Sequence, residues 1–156
     1  MGQYSIYTRI YKDNGEPFIN DPNTDFITAL NYIRANELQD VEFLPDEEDP
    51  GRARMIFTGT DRKRLTVVAD ITRREEIGEA KRDYDIQTRI FWDNEEVAKG
   101  QDVDFIDLLG YIKFNCYDIL ERPRGNLASI EMTFYSNMGK KVNRRNRIEA
   151  TVTAME

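Results

Sequence analysis

The chain has 156 residues, 33% charged and 40% hydrophobic, with a formal charge of −7; a chain of this length buries roughly 70% of its unfolded surface, so a core forms without metal or disulfide staples. It contains no histidine and a single cysteine, Cys116, which excludes Ser-His-Asp and Cys-His catalysis, histidine-held metals, an internal disulfide and multi-thiolate metal sites. No run approaches the ~18 apolar residues of a membrane span, and the start, Met1-Gly2-Gln3-Tyr4, lacks a basic-then-apolar leader, so the expectation is a cytoplasmic protein with no membrane partner.

The first predicted element is a strand, because Tyr4, Ile6, Thr8 and Ile10 alternate with Ser5, Tyr7, Arg9 and Tyr11 at period two. Asp13-Asn14-Gly15 predicts a turn, after which Glu16 to Asn20 return as a second strand whose Pro17 implies irregular pairing. Phe26, Ile27, Leu30 and Ile33 recur at helical spacing, predicting an amphipathic helix with an acidic start that suits its dipole. Val41 to Leu44, Arg54 to Thr58 and Leu65 to Ile71 then read as strands. The second half runs in the same order: a strand from Tyr84, a short return over Glu95 to Lys99, a helix on Phe105, Ile106, Leu109 and Ile112, and a hairpin of Ala128 to Tyr135 with Arg147 to Thr153. Cys116 to Leu120 either extend the helix or make a short strand.

The recurrence is in the residues as well as in the pattern. Tyr4 to Asn14 lies over Tyr84 to Asn94 with 7 of 11 positions identical, and Asp25 to Asn36 lies over Asp104 to Asn115 with 7 of 12 identical. Arg54-Met55-Ile56-Phe57 also matches Glu131-Met132-Thr133-Phe134, and Ala69 to Thr72 matches Ala150 to Thr153. Two blocks at nearly one offset predict a tandem duplication: a first α+β unit over 1–74, a charged connector over 75–82 and a second unit over 83–156. The expected fold class is therefore α+β, built from a duplicated β-β-α-(β)-β-β unit with antiparallel sheet and one amphipathic helix per repeat, the repeats packing about a pseudo-two-fold axis as one compact domain.

Three sets of side chains are candidates for function. In the first, Thr8-Arg9 and Thr88-Arg89 are each followed by an aromatic, Tyr11 or Phe91, on the face opposite the predicted core, with Trp92 beside the second turn. Arginine next to aromatic rings can stack bases or grip a carboxylate, and an exposed Trp92 would anchor a protein partner. The structural alternative is that Arg9 and Arg89 stack on neighbouring rings and pair across the pseudo-dyad. The second set is basic and falls at the same turn of each repeat: Arg62, Lys63 and Arg64, then Lys140, Lys141, Arg144, Arg145 and Arg147, where cationic tips would contact phosphate. The third is the acidic run from Glu37 to Asp49, containing Glu42, Asp46, Glu47, Glu48 and Asp49; it reads as an exposed loop without the ligand spacing of a calcium site.

Charge is unevenly divided, with a net −6 over residues 1–80 against −1 over 81–156. The leading expectation is a non-enzymatic acidic binding protein that engages a macromolecular partner, a basic nucleic-acid-handling protein, in the manner of an inhibitor, immunity or anti-defence protein. The alternative is a nucleic-acid-binding protein that uses the basic tips and the Arg/aromatic face. An enzyme working through paired carboxylates is a third class, but Asp102, Asp104 and Asp107 sit at a helix start where capping accounts for them. Cys116 reads as a small apolar residue rather than a nucleophile. The sequence calls for no cofactor and no metal, and it is compatible with either a monomeric pseudo-dimer or a homodimer.

Overall fold

Period-two patterning dominates the chain, and in the computed structural model it becomes nine strands with two short helices among the described residues. The structure describes residues 3–12, 14–18, 25–32, 38–59, 65–73, 82–99, 104–114, 119–125, 128–136 and 143–155. The elements are β1 (Gln3–Tyr11), α1 (Phe26–Tyr32), β2 (Leu38–Pro45), β3 (Arg52–Thr58), β4 (Thr66–Arg73), β5 (Arg82–Trp92), β6 (Glu95–Lys99), α2 (Phe105–Phe114), β7 (Ile119–Gly125), β8 (Ser129–Ser136) and β9 (Asn143–Ala154). The class is α+β with a mostly antiparallel sheet.

All strands join one sheet in the order β1-β4-β3-β2-β7-β8-β9-β5-β6, and β1 also pairs with β5. Eight strands thus close into an antiparallel ring, which removes the edges an open sheet would leave, and β6 hangs from β5. The seams between the halves are short. Gln3 to Ile6 pair with Asp85 to Arg82, and Leu38 to Asp40 pair with Glu121 to Ile119. Within the halves the ladders are longer and their registers correspond. Thr8 lies opposite Ala69, which lies opposite Met55; Thr88 lies opposite Ala150, which lies opposite Met132.

The alternation sends one residue set inward. Tyr4, Ile6 and Ile10 meet Met55, Phe57, Val67 and Ile71, and their second-half counterparts Tyr84, Ile86, Met132, Phe134, Ile148 and Val152 join the same cluster. The helices add Phe26, Ile27 and Leu30, and Phe105, Leu109 and Ile112. Edge contacts of Phe26 with Tyr84 and of Tyr4 with Phe105, both at 6.1 Å between centroids, tie each helix to the first strand of the other half.

The helix starts carry this cross-connection further. Asp25 caps α1 by accepting from Thr28 N at 2.9 Å, and Asp104 caps α2 by accepting from Ile106 N at 2.9 Å. Of the remaining amides of each first turn, Phe26 N donates to the Tyr84 hydroxyl at 2.8 Å and Phe105 N to the Tyr4 hydroxyl at 2.7 Å. The Tyr84 hydroxyl in turn donates to Asp25. A tyrosine from each half therefore completes the cap of the other half's helix.

Two sequence expectations change and an open alternative is decided. The return strand over Glu16 to Asn20 is reduced, among the described residues, to one bridge between Tyr11 and Pro17, flanked by bonds from Phe18 N to Ile10 O and from Lys12 N to Glu16 O. The matching segment of the second half, Glu95 to Lys99, forms β6. The acidic loop is instead mostly strand: β2 takes residues 38–45, with Val41 and Phe43 buried and Glu42 exposed, leaving a short turn. Ile119 and Leu120 open β7 rather than extending α2, while Cys116 lies outside the described residues.

Candidate binding surface

On the outer face of the second half, register builds a row of rings and guanidinium groups. Phe91 lies opposite Arg147, and Arg147 opposite Tyr135. Arg147 stacks over Phe91 at 4.1 Å, Arg89 over the same ring at 4.9 Å, and Arg144 over Tyr135 at 4.9 Å. Carboxylates hold two of these arginines: Arg89 binds Glu96 at 2.5 Å, and Arg147 binds Glu149 at 2.9 Å. The hydrogen bond to Glu96 raises the Arg89 pKa further above its ordinary value. Arg9 in the first half stacks on Tyr7 at 5.0 Å and binds Asp70 at 2.6 Å. The stacking expected of Arg9 and Arg89 is present, but their carboxylate partners lie on adjacent strands of the same half, not in the opposite half, because the cross-strand neighbour is nearer than the seam. Tyr11 ends β1 half-buried, beside the Pro17 bridge.

The β5–β6 hairpin projects beyond this row. Its turn residues Asp93 and Asn94 have φ of 57° and 66°, the left-handed geometry of a tight hairpin in which Asp and Asn are tolerated. The turn is fastened to the start of β9. Asp93 N donates to Asn146 Oδ1 at 3.0 Å, Asn94 N to Arg145 O at 3.1 Å, and Arg147 Nη1 to Asn94 Oδ1 at 2.9 Å. On this anchored hairpin Trp92 is 53% exposed and Val97 61% exposed, the large hydrophobic residues that stand out to solvent among the described residues. The fold thus gathers Arg89, Phe91, Arg144 and Arg147, which the sequence had divided between two candidate sets, with Phe91 buried beneath its arginines and Trp92, the next residue of the strand, turned to the other side.

Elsewhere, the acidic candidates occupy β2 and its turn into β3. Glu42, Glu47 and Glu48 are exposed. Asp46 Oδ1 accepts from Glu48 N and Asp49 N at 2.9 and 3.2 Å, and Asp49 Oδ1 accepts from Gly51 N at 2.9 Å. These are Asx-type bonds that shape the turn and lift Glu47 and Glu48 to its tip. Arg73 fixes the turn from below, donating to Pro50 O at 2.8 Å and to Asp104 at 2.9 Å. Beside the turn, the outer face of β1, β4 and β3 forms a groove of about 440 Å³ lined in part by Tyr7, Leu44, Asp46, Arg52, Arg54 and Asp70.

Arg62, Lys63, Arg64, Lys140 and Lys141 lie outside the described residues, as does Asp102. Among the described residues no group of three or more acidic or cysteine side chains is placed to hold a metal ion, and no helix is long and apolar enough to cross a membrane. Sequence reasoning did not single out Val97, Tyr135, Arg54 or Asp70 as functional candidates. Val97 could have been found as an apolar residue in a short charged strand, whereas the Arg54–Asp70 and Tyr135–Arg147 pairings require the sheet register. No family model, curated protein or solved structure matches the chain.

Proposed function

We propose that the chain is a tandem duplication, with units 1–74 and 83–156, that serves as a non-enzymatic binding protein for a macromolecular partner, and that the β5–β6 hairpin is its partner-facing element. The observation that carries this reading is the exposure of Trp92 and Val97 together on one hairpin whose tip is held by hydrogen bonds. Exposed aromatic anchors on a rigid support are the usual centres of interface energy, because little ordering entropy is lost when they bind. In a duplicated fold, features required for folding recur in both halves. Trp92 does not recur: the matching position is Lys12, and among the described residues the first half has a bridge where β6 stands. Exposed Glu42, Glu47 and Glu48, with Asp46 and Asp49 shaping their turn, and the net charge of −7 favour a basic protein partner that is steered electrostatically.

The test is capture from the native host with immobilised protein, comparing the wild type with Trp92→Ala/Val97→Ser. A basic protein retained by the wild type and lost from the double variant is the expected result; equal retention by both overturns the role of the hairpin. Neutralising Asp46, Glu47, Glu48 and Asp49 should slow association and flatten its salt dependence.

A second reading follows from the start of β9, which carries Arg144 and Arg145 and is bonded to the turn that follows Trp92: a single-stranded nucleic acid stacking on Trp92 with its phosphates on the arginines. It predicts quenching of the fluorescence of the one tryptophan and a steep fall in affinity with salt. A low-salt titration without quenching eliminates it.

A further inference from the structure

The groove on the first half is separate from the hairpin, and it is built around a held arginine. Tyr7, Asp70, Arg54 and Leu44 form one straight row across four strands, since Tyr7 pairs with Asp70, Asp70 with Arg54 and Arg54 with Leu44. Asp70 accepts from Arg54 Nε at 2.6 Å and Nη2 at 3.4 Å, and from Arg9 Nη2 at 2.6 Å. The side edge of the Arg54 fork is thereby fixed, which leaves the end edge, Nη1–H and Nη2–H, in a set direction at a side chain 47% exposed. A guanidinium held in this way is prepared for bidentate recognition of a carboxylate or phosphate. Asp70 is supplied by two arginines and Asp46 Oδ1 by two backbone amides, and the end edge of Arg54 is the donor pair the groove offers to an anion. Its volume of about 440 Å³ falls in the range of small-molecule sites, about 300–1,000 Å³. Leu44 and Tyr7 at the two ends of the row provide apolar surface on either side of the cation.

The second half has the same strands without this chemistry. On the proposed duplication, Tyr7, Asp70 and Arg54 correspond to Gln87, Thr151 and Glu131, which lie in one row by the same pairings. A cation in one copy and an anion in the other means that the fold does not require the arginine.

We propose that this groove binds a small organic anion, a carboxylate or phosphate monoester carried on an aromatic or aliphatic body, with Arg54 as its bidentate anchor and Tyr7 and Leu44 against its body. The binding itself does not depend on the hairpin reading, and its failure would leave that reading untouched.

Amide chemical shifts of the full chain, followed during titration with phenyl phosphate, benzoate, adenosine monophosphate and inorganic phosphate, test the proposal. Saturable shifts at Tyr7, Leu44, Arg54 and Asp70 are expected with the probes that carry a body, at a dissociation constant on the order of 1 mM, with inorganic phosphate several-fold weaker. The ranking of benzoate, phenyl phosphate and the nucleotide assigns the anion and the body. Arg54→Gln should weaken binding roughly tenfold or more, the loss expected for a charge-assisted bidentate contact, while Glu131→Gln leaves it unchanged. Should Arg54→Gln unfold the protein, Leu44→Glu leaves the Arg9–Asp70–Arg54 network intact and must also abolish binding. Absence of saturable shifts with every probe, shifts centred on the second half, or binding that survives both Arg54→Gln and Leu44→Glu overturns the proposal.

Discussion

Tyr4 and Tyr84 each have two functions: the ring fills the core, and the hydroxyl receives an amide from the other half's helix. Removing one hydroxyl leaves a buried donor without an acceptor, at a cost of about 1–3 kcal/mol. Tyr4→Phe and Tyr84→Phe should each lower the unfolding free energy read from urea titration by that amount while the ring packing survives. A change below about 0.5 kcal/mol in both would mean that water replaces the cap. Thr8 and Thr88 have the opposite character. Both are buried, opposite Ala69 and Ala150, and neither Oγ1 has a hydrogen-bond partner among the described residues. Valine keeps the shape and removes the polar atom, so Thr8→Val and Thr88→Val should each stabilise by about 1 kcal/mol, read as a higher melting temperature.

At the scale of elements, the seams and hairpins hold the ring closed. Gly125 pairs with Ile130 where β7 meets β8, and a Cβ placed there would lie 2.2 Å from Ser129 O and 2.7 Å from Ile130 Cα. Those atoms are backbone and cannot rotate away. Gly125→Ala should therefore force β7 from β8 at the end away from the seam with β2, destabilising by about 2–3 kcal/mol, and hydrogen exchange should accelerate first where Arg124 and Gly125 pair with Glu131 and Ile130. The helices are short, with seven residues in α1 and ten in α2, below the length at which isolated helices persist in water. They exist because each cap is completed by a tyrosine of the other half and each apolar face packs on the sheet, α1 against β1 and β4 and α2 against β2, β3 and β5. Either half produced alone, as residues 1–74 or 83–156, should give the circular dichroism of an unfolded chain, and mixing the two should restore strand signal.

The whole molecule has a pH profile set by groups at the helix starts. Although burial opposes it, the Arg73 hydrogen bond and the helix amides hold the Asp104 carboxyl below its ordinary 3.8. Its contribution to stability is complete above that value and is lost as pH falls through the folded pKa. Burial pushes the Tyr4 hydroxyl from 10.0 up to about 12, so the folded state keeps a proton that the unfolded state gives up; that contribution is present below pH 10 and is lost as pH rises towards 12. With no histidine in the chain, stability should vary little from about pH 5 to 9. Asp104→Asn should remove most of the acid limb attributable to this site, and Tyr4→Phe the matching part of the alkaline limb. A sharp transition near pH 6.5 in thermal melts would contradict this assignment.

Much of the fold was legible because alternation and helical spacing are local properties. Tyr4, Ile6 and Ile10 could be assigned inward, Arg9 outward, and Phe26 and Phe105 to helices facing the core, from their neighbours in the chain alone. The missing histidines excluded whole classes of chemistry by composition alone, and the residue correspondence between halves was visible in the letters. Ring closure was not legible, because the β1–β5 and β2–β7 seams join residues far apart in sequence through backbone bonds that any side chain permits. The same holds for the tyrosines that cap the opposite helices, the row of Phe91, Arg147 and Tyr135, and the Arg54 fork held by Asp70. Each depends on register between strands, which is set by global packing rather than by local pattern. Composition and periodicity determined what the elements are and which chemistry is missing; only the tertiary structure decided which side chains meet, because a sheet brings together residues that the chain keeps apart.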